Sequence, residues 1–477
     1  MITQDAVVAA NRFGYGASPS QMATIAADPR GWVKQQIVAE SALPATLAAL
    51  PSTLDDQLAF FRWLRDYRKE IAAPDASMSG SVEKSYVKAL YPRYTTAVKA
   101  RFDTAVGTTT PVFERLVHFW SNHFTVSGVK PIAIALPPSF ERDAIRPFVT
   151  GKFAEMLVAV AKHPAMLIYL DNTQSIGPHS RWAHDPPRRS GAAAAFPRPT
   201  GLNENLAREI LELHTVGVHG GYEQADVTHF ANIITGWQVL TPRQLGRFAA
   251  RWVGIGTDLF YFNADAHEPG DNIVLGKTYR AGGVEQGEAV LHDLALHPAT
   301  AHFIATKLAR HFIADSPDPA VVEHLTTVFR DTDGDLAAVT RALVDAPQVW
   351  AQPRTKLKAP EEYLISAART LGGPPLRDQQ ILASLSAMGQ RPYMSPGPDG
   401  WSDQQDTWLS PDGVWKRIEW AQLAGRALAG AIAQPDVYAQ AVFGDTLSAT
   451  TRTAIGRAES PAQGLALLLT SPEFMRR

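Results

Sequence analysis

The sequence contains no cysteine in 477 residues. Disulfides, iron–sulfur clusters and thiolate zinc sites are therefore excluded. Neither sign of charge is in clear excess: 45 Lys and Arg against 47 Asp and Glu leave a formal net charge of −2. No global field draws such a chain to nucleic acid or to an anionic membrane, so no nucleic-acid partner is expected. No stretch reaches ~18 apolar residues, and no membrane span is predicted. The N-terminus, Met1-Ile-Thr-Gln-Asp-Ala-Val7, shows neither a basic patch nor an apolar run. These residues predict no secretory signal and a cytoplasmic location.

The familiar signatures of chemistry are missing too. There is no Gly-x-Ser-x-Gly elbow, no phosphate-binding loop and no His-Glu-x-x-His zinc pair. The run Asp331-Thr-Asp-Gly-Asp335 imitates a calcium loop, but its glycine comes fourth rather than sixth and no bidentate Glu follows at position twelve. It reads as a turn that caps the next helix. Gly282, Gly283 and Gly287 precede a helix without the dinucleotide spacing.

Helical periodicity is what the chain does have. Apolar residues recur at three- and four-residue steps through 56–70, 111–126, 141–161, 204–216, 226–235, 288–313, 319–328, 335–345 and 414–433. Alternating patterns are confined to Asn272-Ile-Val-Leu-Gly276 and Arg251-Trp-Val-Gly-Ile255. The fold class predicted is mainly α, a multi-helical globular protein with few short strands. Hydrophobic residues make up 45% and charged residues 19%, which suits a large buried interior. A chain this long exceeds the size at which one core stops growing, so a family-wide helical unit subdivided near 1–110, 111–350 and 351–477 is expected.

Proline marks several helix starts, where its missing N–H costs nothing: His163-Pro-Ala165, His297-Pro-Ala299, Ala346-Pro347 and Ser471-Pro472. Residues 72–84 are small and polar and read as a loop. Residues 177–201 are rich in proline and carry Arg181, Arg188, Arg189 and Arg198. A long loop of this kind is either a lid or binding element or a plain insertion. A further loop is expected at 391–413, rich in Pro, Gly, Asp and Trp.

Two helices carry polar faces. In Gly201 to Gly217, Asn203 is a natural N-cap and Gly217 a natural terminator. At about 100° per residue, Glu204, Asn205, Arg208, Glu209 and Glu212 share one face, opposite Leu206, Ile210 and Leu213. On spacing alone this is most simply a solvated face laced by i,i+4 ion pairs. The other reading has three carboxylates and a guanidinium facing a cavity, able to hold a metal or to move protons. His214 falls among the apolar positions. In Pro111 to Ser127, Phe113, Leu116, Val117, Trp120 and Phe124 form the apolar stripe. Glu114, His118 and Asn122 follow one another at i,i+4 on the other side, with Ser121 beside them and His123 at the margin. That spacing lets carboxylate, imidazole and amide converge, although a half-exposed helix face is the simpler reading.

At these residues the sequence resembles, over nearly its whole length, the bacterial family known as domain of unknown function 1800. The matching pieces are Asn11-Arg-Phe-Gly-Tyr-Gly-Ala-Ser-Pro19 with Gly31-Trp-Val33, Glu114 to Phe124, His163 to Asn172, Leu202 to Thr215, Gly220 to Val227 and on through Thr235-Gly-Trp237, and Lys307-Leu-Ala-Arg-His-Phe312. The resemblance brings no established reaction. It implies that Glu114, His118, Asn122, His123, Glu204, Asn205, Arg208, Glu209, Glu212, His214 and Asp226 bear the family pattern and tips the balance toward a functional reading. Polar core networks that fix helix packing remain the rival account. The family tends to be encoded beside proteins of the domain of unknown function 1501 family, which look like the alkaline phosphatase and sulfatase group. A sulfatase-like partner is therefore implied, and because many relatives look exported, so is the alternative of export.

The function expected is a hydrolase-like enzyme. Its catalytic set is Glu114, His118, Asn122, Glu204, Arg208, Glu209 and Glu212, and a divalent metal is a candidate cofactor, held by His118, His123, Glu209 and His214. The alternative is a non-catalytic scaffold or partner of a sulfatase-like protein in envelope polysaccharide handling, with Trp182, Trp237, Trp401, Trp408 and Trp415 as stacking platforms. Burial discriminates the two. A concave site with unpaired polar groups favours catalysis, and a closed network beside an exposed aromatic patch favours a scaffold.

Overall fold

Proline sets the rhythm of the fold. In a computed structural model of the chain, helices begin on Pro19, Pro29, Pro111, Pro164, Pro298, Pro319, Pro347, Pro360, Pro411, Pro435, Pro461 and Pro472. The ring supplies a helical φ, and the donor it lacks would have had no partner in the first turn. The residues described are 2–59, 62–63, 79–130, 133–185, 201–240, 259–372 and 376–477. Ser18, Asp28, Asp318, Ser410 and Ser471 cap their helices through side-chain oxygens. His163 and His297 do the same with Nδ1, which accepts from Ala165 N at 3.1 Å and Ala299 N at 3.2 Å.

The molecule is mainly helical. Among the described residues the strands form two small antiparallel pairs, Trp237–Val239 with Phe260–Phe262 and Asn272–Val274 with Lys277–Tyr279. The second pair starts at the strand pattern read at Asn272, and its hairpin is closed by Leu275 and Gly276 at positive φ. The first pair was not foreseen, and Arg251 to Ile255 lies outside the described residues. Asp335 caps the Leu336–Asp345 helix by accepting from Ala338 N at 2.8 Å, as the calcium-like run predicted.

Some helix boundaries differ from expectation. The 288–313 pattern is two helices, Val284–Leu296 and Pro298–Phe312, because Pro298 cannot continue the first. The 141–161 pattern opens as a wide turn at Glu141–Ile145 and a tight one at Arg146–Phe148 before the Phe153–Lys162 helix. The segment 72–84 is not a loop throughout. From Ser79 it belongs to the 29-residue Ser79–Gly107 helix, which packs on Pro360–Leu371 and Asp378–Ala387. Residues 72–78, like 64–70 of the expected 56–70 helix, lie outside the described residues.

One apolar cluster runs from Ala6 to Phe474 and includes residues from most helices. The Pro111–His123 helix passes through it. Apart from Ser121 and Asn122, every residue of that helix is buried, Glu114 and His118 included. Its polar side is thus an interior face, not the half-exposed surface that spacing favoured.

Candidate functional site

Burying a carboxylate is costly unless a cation meets it. Glu114 is 2% exposed, and Arg146 Nη2 donates to its Oε1 at 2.5 Å while Nη1 reaches Glu40 at 2.8 Å. Burial pushes the Glu114 pKa up, and Arg146 pulls it back. A turn further on, His118 Nε2 lies 3.6 Å from Glu114 Oε1, too long for a hydrogen bond, and has no other partner. Its Nδ1 lies 2.7 Å from the hydroxyl of Tyr15. The side chain of Asn122, another turn on, bonds to the backbone of Trp401. The i,i+4 trio therefore does not converge on a single point; each member has its own partner.

Tyr15 is held by its neighbours. Gly16 has φ +81°, and a Cβ there would lie 2.8 Å from Thr370 Oγ1. Arg115 sits 5.1 Å from the Tyr15 ring centroid, donates to Gly14 O and pairs with Glu362 at 2.5 Å. Burial drives the Tyr15 pKa well above its ordinary value, so the phenol stays protonated.

A second imidazole borders the same space. His311, on the Pro298–Phe312 helix, holds Asp403 Oδ1 at 3.1 Å through Nδ1. Its Nε2 is buried without a partner. Burial, reinforced by Arg477, lowers its pKa to about 4, although Asp403 works the other way. Burial raises the Asp403 carboxyl, but His311, Lys356 and Lys307 overcome that and hold it below the usual carboxylate range. Both His118 and His311 are thus neutral at neutral pH, His118 because burial and then Arg101 lower it well below 6.5.

Tyr15, His118, His311 and Asp403 line one cavity of about 90 Å³, together with Arg101, Glu361, Tyr393 and Trp401. That volume holds a small ligand or a few waters. Arg101 is fixed between Glu141 at 3.0 Å and Glu361 at 2.6 Å, and Tyr393 donates to Glu141 at 2.9 Å. Such a wall is rigid and chemically loaded, with neutral imidazoles among paired charges.

The other helix behaves differently. Glu204, Arg208 and Glu212 are partly exposed and joined at 3.0 and 3.6 Å, with Gln224 and Thr228 completing the network. This is the solvated face that spacing suggested. Asn203 accepts from Asn205 N at 2.9 Å, and Gly217 follows the helix at φ +81°. Glu209 stands somewhat apart: burial, then Glu212 and Asp399, raise its pKa to about 6.

His214 packs against Phe124 and His123, and its backbone carbonyl accepts from His123 Nε2 at 3.1 Å. It is a core histidine. Among the described residues no group of three or more His, Asp or Glu is arranged to hold a metal ion. His118 borders the cavity, His123 and His214 share an aromatic cluster, and Glu209 is half-buried on another helix, so the four residues considered as metal ligands occupy three separate surroundings. The tryptophan platforms are likewise dispersed in burial. Trp237 and Trp408 are core residues at 0% and 7% exposure, and Trp415 is exposed.

Sequence reasoning missed Tyr15, His311 and Asp403 as site residues. The signal for the first two was their place in the pieces that resemble the family; Asp403 had only its Asp- and Trp-rich loop. Of the 177–201 segment, His179 bonds Glu268 at 2.6 Å and Arg181 pairs with Asp265 at 3.4 Å, while 186–200 lies outside the described residues. Among the described residues no helix is long and apolar enough to cross a membrane.

No curated protein matches the chain, and no solved structure does. A family model described as protein of unknown function (DUF1800) matches residues 8–476, nearly the whole chain, and the chain belongs to that family.

Proposed function

We propose that the protein is a hydrolase-like acid–base enzyme whose site is the cavity between His118 and His311. The observation that carries this reading is His311: Nδ1 is fixed on Asp403 while Nε2 is buried and unpartnered. With Nδ1 donating to the carboxylate, Nε2 keeps its lone pair. This is the orienter-and-base half of the triad logic. Buried ring nitrogens without a partner also occur at His163 and His214, and what sets His311 apart is its carboxylate partner together with its place in the cavity wall.

In the proposed reaction His311 Nε2 takes a proton from an attacking water. The water oxygen bonds the electrophilic centre, the bond to the leaving group breaks, and the same imidazole hands the proton to that group. Tyr15 donates to His118 Nδ1, because Glu114 beside Nε2 favours a proton there. Its oxygen is left as an acceptor for ligand. Glu114, His118 and Asn122 keep a role as supports of this site, whereas Glu204, Arg208 and Glu212 belong to the outer face. A sulfatase-like partner and a metal form no part of this proposal.

The test is turnover of a panel of small esters, amides, phosphoesters and glycosides by the wild-type protein and by His311→Gln. The expected result is hydrolysis of at least one class, reduced at least ~100-fold in His311→Gln while the melting temperature is kept. A panel left intact by the wild type, or turnover indifferent to His311→Gln, contradicts the proposal.

A further inference from the structure

The cavity also constrains what enters it. Its charged side chains balance: Arg101, Lys356 and Arg477 stand against Glu361, Glu362 and Asp403. They are also engaged. Arg101 holds Glu361, Arg477 Nε lies 2.9 Å from Glu362, and Lys356 lies 3.2 Å from Asp315. A charged ligand would enter without a free counter-charge, whereas a neutral one would disturb nothing.

Besides the Nε2–H of His118, one further donor in the cavity wall is without a partner. The indole nitrogen of Trp401 is buried with no partner, while its neighbour Trp408, 6.0 Å away between ring centroids, donates to Ser402 O at 3.2 Å. Trp401 is also held from both sides of its backbone. Asn122 Nδ2 donates to its carbonyl at 2.8 Å, and Asn122 Oδ1 accepts from its N–H at 2.8 Å. The approach of the two segments depends on Gly400, at φ +81°, where a Cβ would lie 2.4 Å from the Asn122 carbonyl oxygen. Two hydrogen bonds and a glycine thus fix an unsatisfied N–H in the wall of a small cavity.

We propose that the cavity binds a compact neutral acyl group, an amide or ester, whose carbonyl oxygen accepts from Trp401 Nε1–H. Asn122 is the positioning residue for that donor. The inference rests on the same cavity as the proposed hydrolysis, but on a donor separate from the His311 base. The size of the cavity, about 90 Å³, suits a ligand whose buried part is small.

Acetamide and acetate serve as probes, titrated against 15N-labelled wild type, Trp401→Phe and a control at the exposed Trp415, Trp415→Phe, and followed by indole and backbone NMR shifts. Acetamide is expected to move the indole resonance that Trp401→Phe removes. It is also expected to bind that variant about fivefold or more weakly, the value of one hydrogen bond, and to retain its binding to Trp415→Phe. Acetate is expected to bind no more tightly than acetamide. The inference is overturned if acetamide leaves the Trp401 resonance unmoved, if Trp401→Phe binds it equally well, or if acetate alone binds. Should acetamide fail while turnover still depends on His311, the acyl assignment falls and the base assignment stands.

Discussion

At the scale of the residue, the neutral imidazole is the informative group. An imidazole offers one donor and one acceptor, and its neighbours decide which nitrogen is which. Asp403 accepts from His311 Nδ1, leaving a lone pair on Nε2, whereas Tyr15 and Glu114 favour the opposite tautomer in His118. Two histidines on the wall of one cavity therefore present different chemistry. Little of this was legible in the sequence. His118 stood out because it sits one turn from Glu114. Tyr15 and His311 meet their partners across 103 and 92 positions, a separation that no local spacing reports.

At the scale of the element, two helices with similar polar patterns have opposite fates. Periodicity identified both, and it identified the solvated network of Glu204, Arg208 and Glu212. It did not show that the Glu114 face is enclosed, because enclosure comes from other parts of the chain, such as Arg146 and the Tyr15 turn. The energetic consequence is testable. Glu114→Ala leaves Arg146 buried with less compensation, and the expected loss is about 3–5 kcal/mol. Arg208→Ala breaks exposed pairs, and the expected change is under about 1 kcal/mol. Urea denaturation of the two variants checks the contrast, and equal losses would contradict the assigned burial. The short strand pair at Trp237 escaped notice for a related reason. Three-residue strands carry too little alternation to register, and one of them is fixed by burial of its tryptophan.

At the scale of the molecule, buried histidines make stability depend on pH. Burial lowers His163 to about 4, His214 to about 3 and His311 to about 4, and takes His118 and His123 well below 6.5. In the unfolded chain these groups take up protons near pH 6.5. Between that value and about 4 the unfolded state binds more protons, so stability falls as the pH falls. For His163, His214 and His311 the stability lost as the pH falls from about 7 toward the folded values is on the order of 3 kcal/mol each. Asp56 and Glu209, raised to about 6 by burial, and Glu40, Glu114 and Glu361, also raised, act in the opposite sense and offset part of this loss. The melting temperature is expected to drop steeply between pH 6.5 and 4.5, and a flat profile over that range would contradict neutral burial of the histidines.

The central claim, that the cavity holds a poised base, is tested most directly by long-range 1H–15N NMR of the histidine side chains. The account predicts that at pH 7 His311 carries its proton on Nδ1, leaves Nε2 bare and stays neutral until the pH approaches about 4. A proton on Nε2, or a charged imidazolium at pH 7, would contradict it.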